Sequence, residues 1–289
     1  MTTVNDYKNP DSLNGALKVL AKGGWTVLAG GTDLYPSVAD AFAWNCAKPM
    51  CILDISNIKS LSGIEELKYE FRLGSRVTWA ELIEHSLPPF FNTLKLAGRE
   101  IGGVQIQNRA TIAGNICNAS PAADGVPALL ALDAQVEITS YQHIRRIPIS
   151  EFVKGNRRTA LRDHELVTAI FVPKRNSLCK STFSKLGARK YLVISIVMVA
   201  CIIDIDTLGC ISHARVVVGS CSEVARRLLA LETTLLGKYI NSNLTDLFEI
   251  EMLKPLSPID DIRGSAFYRM KAAETLILQS LLELGAGYE

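Results

Sequence analysis

Apolar residues recur at helical spacing at Leu13, Ala16, Leu17 and Leu20, behind Asp11-Ser12 and ahead of Gly23-Gly24. The first predicted element is therefore a helix with a polar N-cap and a glycine stop. Trp25 to Ala29 follows as a short β-prone run that delivers the chain into the turn Gly30-Gly31-Thr32-Asp33. Met50 to Ile55 predicts a second strand. The stretch FRLGSRVTWAELIEH at 71–85 predicts a strand through Leu73, a turn at Gly74-Ser75 and a helix capped by Thr78. Thr93 to Ile101 predicts a helix stopped at Gly102-Gly103, and Gln135 to Thr139 a strand, leaving the segment between them as a loop held by regular structure.

Beyond Pro173 the pattern changes. Thr182–Leu186, Leu192–Asp204 and His213–Ser220 predict three strands, and Glu223–Leu236 and Ala266–Leu284 predict helices. The expected organisation is α+β throughout, with residues 1–176 as one domain and 177–289 as a smaller one. The boundary falls within Lys174–Lys180, where Pro, Arg, Asn and Ser interrupt both periodicities.

Composition narrows the class. A chain of 289 residues with 48% hydrophobic and 21% charged residues can bury a full core and divide into two or three compact units. Lys and Arg total 31 against 29 Asp and Glu, and no basic block is interleaved with aromatics, which argues against nucleic acid or a membrane surface as partner. The longest apolar run, Tyr191 to Ile203, is closed by Asp204 and Asp206 and is too short to span a bilayer. The N-terminal MTTVNDYKNPDSL has neither a basic nor an apolar export region, so a cytoplasmic location is expected. Seven scattered cysteines with no C-x-x-C pair predict buried thiols, not a metal or iron–sulfur site.

The candidate chemistry lies in two segments about eighty residues apart. In VLAGGTDLYPS at 27–37, Gly30 and Gly31 end an apolar run, so that backbone N–H groups can face an anion unobstructed. The pattern departs from the dinucleotide fingerprint G-x-G-x-x-G, and a Rossmann fold finds no support. Alone, this loop is equally well an ordinary turn. The second segment is richer: Thr111, Gly114, Asn115, Ser120 and Asp124 place hydroxyls, an amide and a carboxylate among Ile112, Ile116, Ala119, Ala122 and Ala123. A solvated surface loop has no need of those apolar neighbours, so the segment reads as half of a phosphate cradle.

LAGGTDL at 28–34, RLGSRVTWAEL at 72–82, TIAGNICNASPAAD at 111–124, DHELVTAIFVP at 163–173, FSKLGAR at 183–189 and IRGSAFYR at 262–269 together resemble the FAD-binding medium subunit of the molybdenum hydroxylases, the xanthine dehydrogenase and carbon monoxide dehydrogenase flavoprotein family. The resemblance runs in order along nearly the whole chain. It implies a two-subdomain FAD-binding domain of the PCMH or vanillyl-alcohol-oxidase-like type, then a small α+β domain with a three-stranded antiparallel sheet and helices. It places Leu28, Ala29, Gly30, Gly31, Thr32, Asp33 and Leu34 around the FAD pyrophosphate, with Thr111, Gly114, Asn115, Ser120 and Asp124 opposite. Ile101, Val167 and Lys185 match positions along the flavin, the lysine suited to stabilising the charge that reduction brings.

Histidines 85, 143, 164 and 213 lie outside both segments, so the flavin is expected to be held non-covalently, with Cys117 as wall. The cysteine-bearing insertion of relatives that reduce aromatic acyl-CoA thioesters is absent from the sequence. The implied function is an electron-transfer subunit that accepts electrons from a small 2Fe-2S subunit and passes them to an acceptor such as NAD+. A large molybdopterin-binding subunit hydroxylates the substrate, the whole forming a heterotrimer or its dimer. Two competing readings are a self-contained flavin oxidase or reductase and a flavin-free scaffold.

Overall fold

The computed structural model describes residues 4–44, 49–175 and 178–286. Cys46 and residues 176–177, where the expected domain boundary falls, lie outside the described residues. The chain opens with β1 (Val4–Lys8), α1 (Leu13–Leu20), β2 (Trp25–Leu28), α2 (Leu34–Ala43) and β3 (Met50–Asp54), which form a parallel sheet ordered β1-β3-β2. The helix α1 forms as predicted, with Ser12 Oγ accepting from Gly15 N–H, and it lays Ala16, Leu17 and Leu20 over Leu53, Ile55, Ile58 and Leu61.

Next come β4 (Ile64–Glu66), β5 (Glu70–Gly74), α3 (Trp79–Glu84), α4 (Asn92–Arg99), α5 (Val104–Gln107), α6 (Ile112–Asn118), α7 (Gly125–Ala131), β6 (Gln135–Thr139), β7 (Ile144–Pro148), α8 (Ile149–Phe152), β8 (Val153–Gly155), β9 (Arg158–Thr159) and β10 (Leu166–Pro173). The antiparallel sheet β4-β5-β10-β6-β7 is the frame of this second subdomain, with the almost wholly buried β10 at its centre. Thr78 caps α3 through a reciprocal capping box with Glu81.

The segment expected as a loop between Gly103 and Gln135 is instead mostly helical, containing α5, α6 and α7. The runs are too short for a clear helical period, and their polar residues act as caps: Thr111 Oγ1 accepts from Gly114 N–H.

The C-terminal part contains β11 (Lys180–Leu186), β12 (Val197–Ile205), β13 (Ile211–Gly219), β14 (Arg226–Arg227), α9 (Leu229–Leu235) and α10 (Ala266–Gly285). Its sheet has four strands in the order β11-β12-β13-β14, not the three expected. The difference comes from Arg226 and Arg227, which pair with Val218 and Val217 and so shorten the helix expected from Glu223. The strand expected from Leu192 begins at Val197, because Leu192 takes a left-handed backbone (φ 54°) in the preceding connection.

From Val197 onward the long apolar run is apolar because β12 is covered on both sides, whereas Tyr191, Leu192 and Ile194 ahead of it are exposed. Met198, Ala200 and Ile202 join the core of the second subdomain, whereas Val197, Val199, Cys201 and Ile203 join a separate core under α9 and α10. The C-terminal sheet therefore packs directly on α4 and α7, and it fixes the wall they form.

Candidate flavin site

The first loop emerges from β2 and runs into α2, so its glycines sit at the open end of a parallel sheet. Gly30 is required by close approach: a Cβ there would lie 2.0 Å from the Arg109 carbonyl oxygen, which means the first loop and the start of the second segment touch backbone to backbone. Gly31 is required by its φ of +75°. The N–H groups of Gly30, Gly31, Thr32, Asp33 and Leu34 have no acceptor among the described residues. Unpaired backbone donors gathered ahead of a ten-residue helix suit an anion.

The second segment is bound into the fold. Ile112 N–H donates to Val77 O and Trp79 N–H to Ala110 O, which tie it to the start of α3. Asn115 Oδ1 accepts from Gly125 N–H and Ser120 Oγ from Ala122 N–H. Asp124 accepts from Ser195 Oγ at 2.5 Å and pairs with Lys185 Nζ at 2.9 Å, both side chains almost fully buried. Burial pushes the Asp124 carboxyl above its ordinary range against the opposing pull of Lys185 and Ser195.

A cleft of about 540 Å³ opens between the parallel-sheet subdomain and the β5–β10 side of the second. Leu28, Ala29, Gly30, Gly31, Thr32, Asp33, Leu34, Ile101, Thr111, Gly114, Asn115 and Val167 all line it. Ser120 and Asp124 instead line a second cavity of about 1000 Å³ toward the C-terminal domain, which shares Asp33, Ile101, Asn115, Asn118 and Arg157 with the first. Lys185 lines neither; its ammonium is directed to Asp124 and to the Glu100 carbonyl. Cys117 is on the cleft wall with its thiol pushed up to about 12 by burial, too high to yield a thiolate near neutrality.

Sequence reasoning missed three residues here. Ser75 and Trp79 line the first cleft with Ser75 Oγ and Trp79 Nε1 buried and unpartnered, and Arg157 is the only cation on its wall among the described residues. None carries a local signal: Ser75 follows a turn glycine, Trp79 begins a helix and Arg157 lies in a short hairpin.

The cradle fits a dinucleotide. The glycines bring backbone donors to one point, an aliphatic wall of Leu28, Ile101, Ile106, Leu166 and Val167 can cover an aromatic ring, and two joined cavities give it length. Comparison with known proteins agrees. A family described as the FAD binding domain in molybdopterin dehydrogenase matches residues 2–175, and the CO dehydrogenase flavoprotein C-terminal domain matches residues 182–284.

The chain belongs to this family. It is 28% identical to the nicotine 6-hydroxylase medium subunit of Paenarthrobacter nicotinovorans, over 97% of each chain. It is 28% identical to the xanthine dehydrogenase FAD-binding subunit of Escherichia coli O157:H7, over 96% of this chain and 94% of the relative. Among solved structures, carbon monoxide dehydrogenase from Hydrogenophaga pseudoflava superposes with a TM-score of 0.86 at 26% identity, over 98% of this chain and 97% of that one. The chain is thus an FAD-binding medium subunit of an oxidoreductase of the molybdenum hydroxylase type, and FAD is its cofactor. Among the described residues no helix is long and apolar enough to cross a membrane, and no group of three or more His, Cys, Asp and Glu is placed to hold a metal ion.

Proposed function

We propose that this medium subunit accepts electrons from a small 2Fe-2S subunit and delivers them to a soluble acceptor such as NAD+, in a cytoplasmic heterotrimer or its dimer whose large subunit holds molybdopterin and the substrate. The observation that carries the reading is the convergence of unpaired backbone donors and an aliphatic wall in one cleft, with no histidine among the described residues that line it. When bound, FAD supplies the redox chemistry, taking up electrons one at a time and releasing them as a pair.

The chain's own residues bind and orient. Leu28 to Leu34 hold the pyrophosphate through backbone N–H groups, and Thr111, Gly114 and Asn115 close the opposite side. Ile101 and Val167 exclude water along the ring. Ser120 and Asp124 border the remainder of the dinucleotide, with Lys185 as a positioning residue that fixes Asp124 from the C-terminal domain. The cofactor is held non-covalently, since no histidine lines the first cleft and Cys117 is an inert wall. Residues 1–176 serve as the FAD-binding domain, which leaves residues 177–289 to cover the cleft and dock partners.

The test is anaerobic titration of the purified, FAD-loaded complex with NADH, the reverse of the proposed delivery. Bleaching of the flavin band supports NAD+ as acceptor, and an unchanged band with a reducible flavin overturns it. Turnover of a small substrate by this chain alone, without molybdenum or iron–sulfur subunits, would replace the relay with a self-contained oxidase.

A further inference from the structure

Two residues in contact take a left-handed backbone: Ala119 at the end of α6 (φ 51°) and Arg157, which lines both cavities, in the turn between β8 and β9 (φ 53°). The Arg157 N–H donates to the Ala119 carbonyl at 2.9 Å. Glycine or asparagine adopts this conformation at least cost, so a long cationic residue in a two-residue turn is a local misfit that directs attention to its side chain.

That side chain lies on the wall of both cavities. Its Nη1 donates to Asp33 Oδ2 at 3.1 Å and to Asn118 Oδ1, bridging the first loop, the end of α6 and the hairpin. Its Nε and Nη2 have no protein acceptor among the described residues, and a guanidinium with free donors matches phosphate oxygens well. Asp33 sharpens the case. A carboxylate in a loop of anion-facing N–H groups would repel the anion, and the Arg157 contact offsets that charge.

We propose that Arg157 is a phosphate-binding residue of this site, a guanidinium that clamps the dinucleotide pyrophosphate where the two cavities join, with Asp33 and Asn118 setting its position. The proposal rests on the reading of the cleft as the FAD site, and it adds a side-chain charge to a cradle otherwise built from backbone.

The test uses the full chain, stripped of flavin and titrated with FAD by fluorescence quenching at low and high salt, for wild type, R157G and R157K. R157G should bind FAD roughly ten- to a hundredfold more weakly at low salt, the worth of a charged hydrogen-bonding group, and R157K should fall between. Added salt should weaken the wild type more than R157G, so that the two affinities converge. Glycine accepts the left-handed backbone, so R157G should melt no lower than wild type. Equal FAD affinity in wild type and R157G would overturn the proposal. So would a loss that is the same at every salt concentration, or one accompanied by a lower melting temperature, which marks a structural role. Failure of the wild type to bind FAD at all would sink the flavin reading itself.

Discussion

The first loop and the second segment carry similar polar residues and face the same cleft, yet they do different work. In residues 30–34 the backbone donors remain unpaired, and of the side chains only Asp33 is engaged, by Arg157. In residues 111–124 the polar side chains are already engaged: Thr111 caps α6, Asn115 holds the start of α7 and Asp124 ties that turn to Ser195 and Lys185. One segment presents free donors and the other builds the frame that aims it. A polar residue beside a cleft is therefore no guide to ligand contact until its existing partners are known.

Asp124 is the harshest probe of that division. In D124N the Lys185 ammonium, only 4% exposed, loses its counter-charge, and removing one member of a buried pair costs about 3–5 kcal/mol. Denaturant unfolding should show a loss of that size. The double variant D124L/K185M removes both charges and should recover most of it while retaining FAD. A stable double variant devoid of flavin would transfer Asp124 from frame to binding group.

Gly30 probes the joint between the segments. G30A directs its methyl group at the Arg109 carbonyl, so the loops must separate at a cost of about 1–3 kcal/mol, the range for overpacked sites. Flavin content should fall with it, read as the flavin-to-protein absorbance ratio of the purified chain. Retained flavin at full stoichiometry would show that the backbone contact is incidental to the cradle.

The history of these residues in the sequence is instructive. Local signals located α1, β2, β3 and the Thr78-capped helix, because each rests on short-range periodicity or capping, but they gave no sign of α2, into which the first loop runs. The two polar segments and the family resemblance together singled out fifteen residues for the cofactor, and twelve of them line the cleft. Local signals failed where tertiary structure decides. Residues 110–134 look like a loop because their helices are one or two turns long, and β14 is invisible because two arginines have no strand pattern apart from β13. Lys185 looks like a free cation near a ligand, but its partner is sixty-one residues away in the chain. Ser75, Trp79 and Arg157 acquire meaning only when the cleft assembles around them.

A matched pair of threonines separates the two roles at smaller scale. Thr32 lies in the first loop and its hydroxyl has no protein partner among the described residues, while Thr111 is an N-cap. T32V should leave the melting temperature unchanged and weaken FAD severalfold, about 1 kcal/mol for one neutral hydrogen bond. T111V should reverse the pattern, with about 1 kcal/mol of stability lost and FAD affinity little changed. If both variants move the same quantity, the distinction between binding loop and frame fails.

The smallest effect comes from the frame alone. Arg175 joins Asp133, beyond α7, to Asp204 on β12, and it also donates to His213 Nδ1 at 2.9 Å. An Nδ1 that accepts a hydrogen bond carries no proton, so the ring is held neutral. Burial and the neighbouring Arg175 and Arg215 charges lower the His213 pKa, prevailing over Asp204 and Asp133. With the folded pKa below the unfolded value of about 6.5, the unfolded chain binds more protons at low pH. Stability is therefore complete above about pH 6.5 and declines as the pH falls through that value toward the folded pKa. Thermal melts at about pH 7.5 and about pH 5.5 should show a larger fall in wild type than in H213Q, which has no such titration. FAD affinity should follow one pH profile in both proteins, because His213 lines neither cavity. Divergent affinity profiles would show that the frame transmits its charge state to the cradle, and the separation of the two regions would no longer hold.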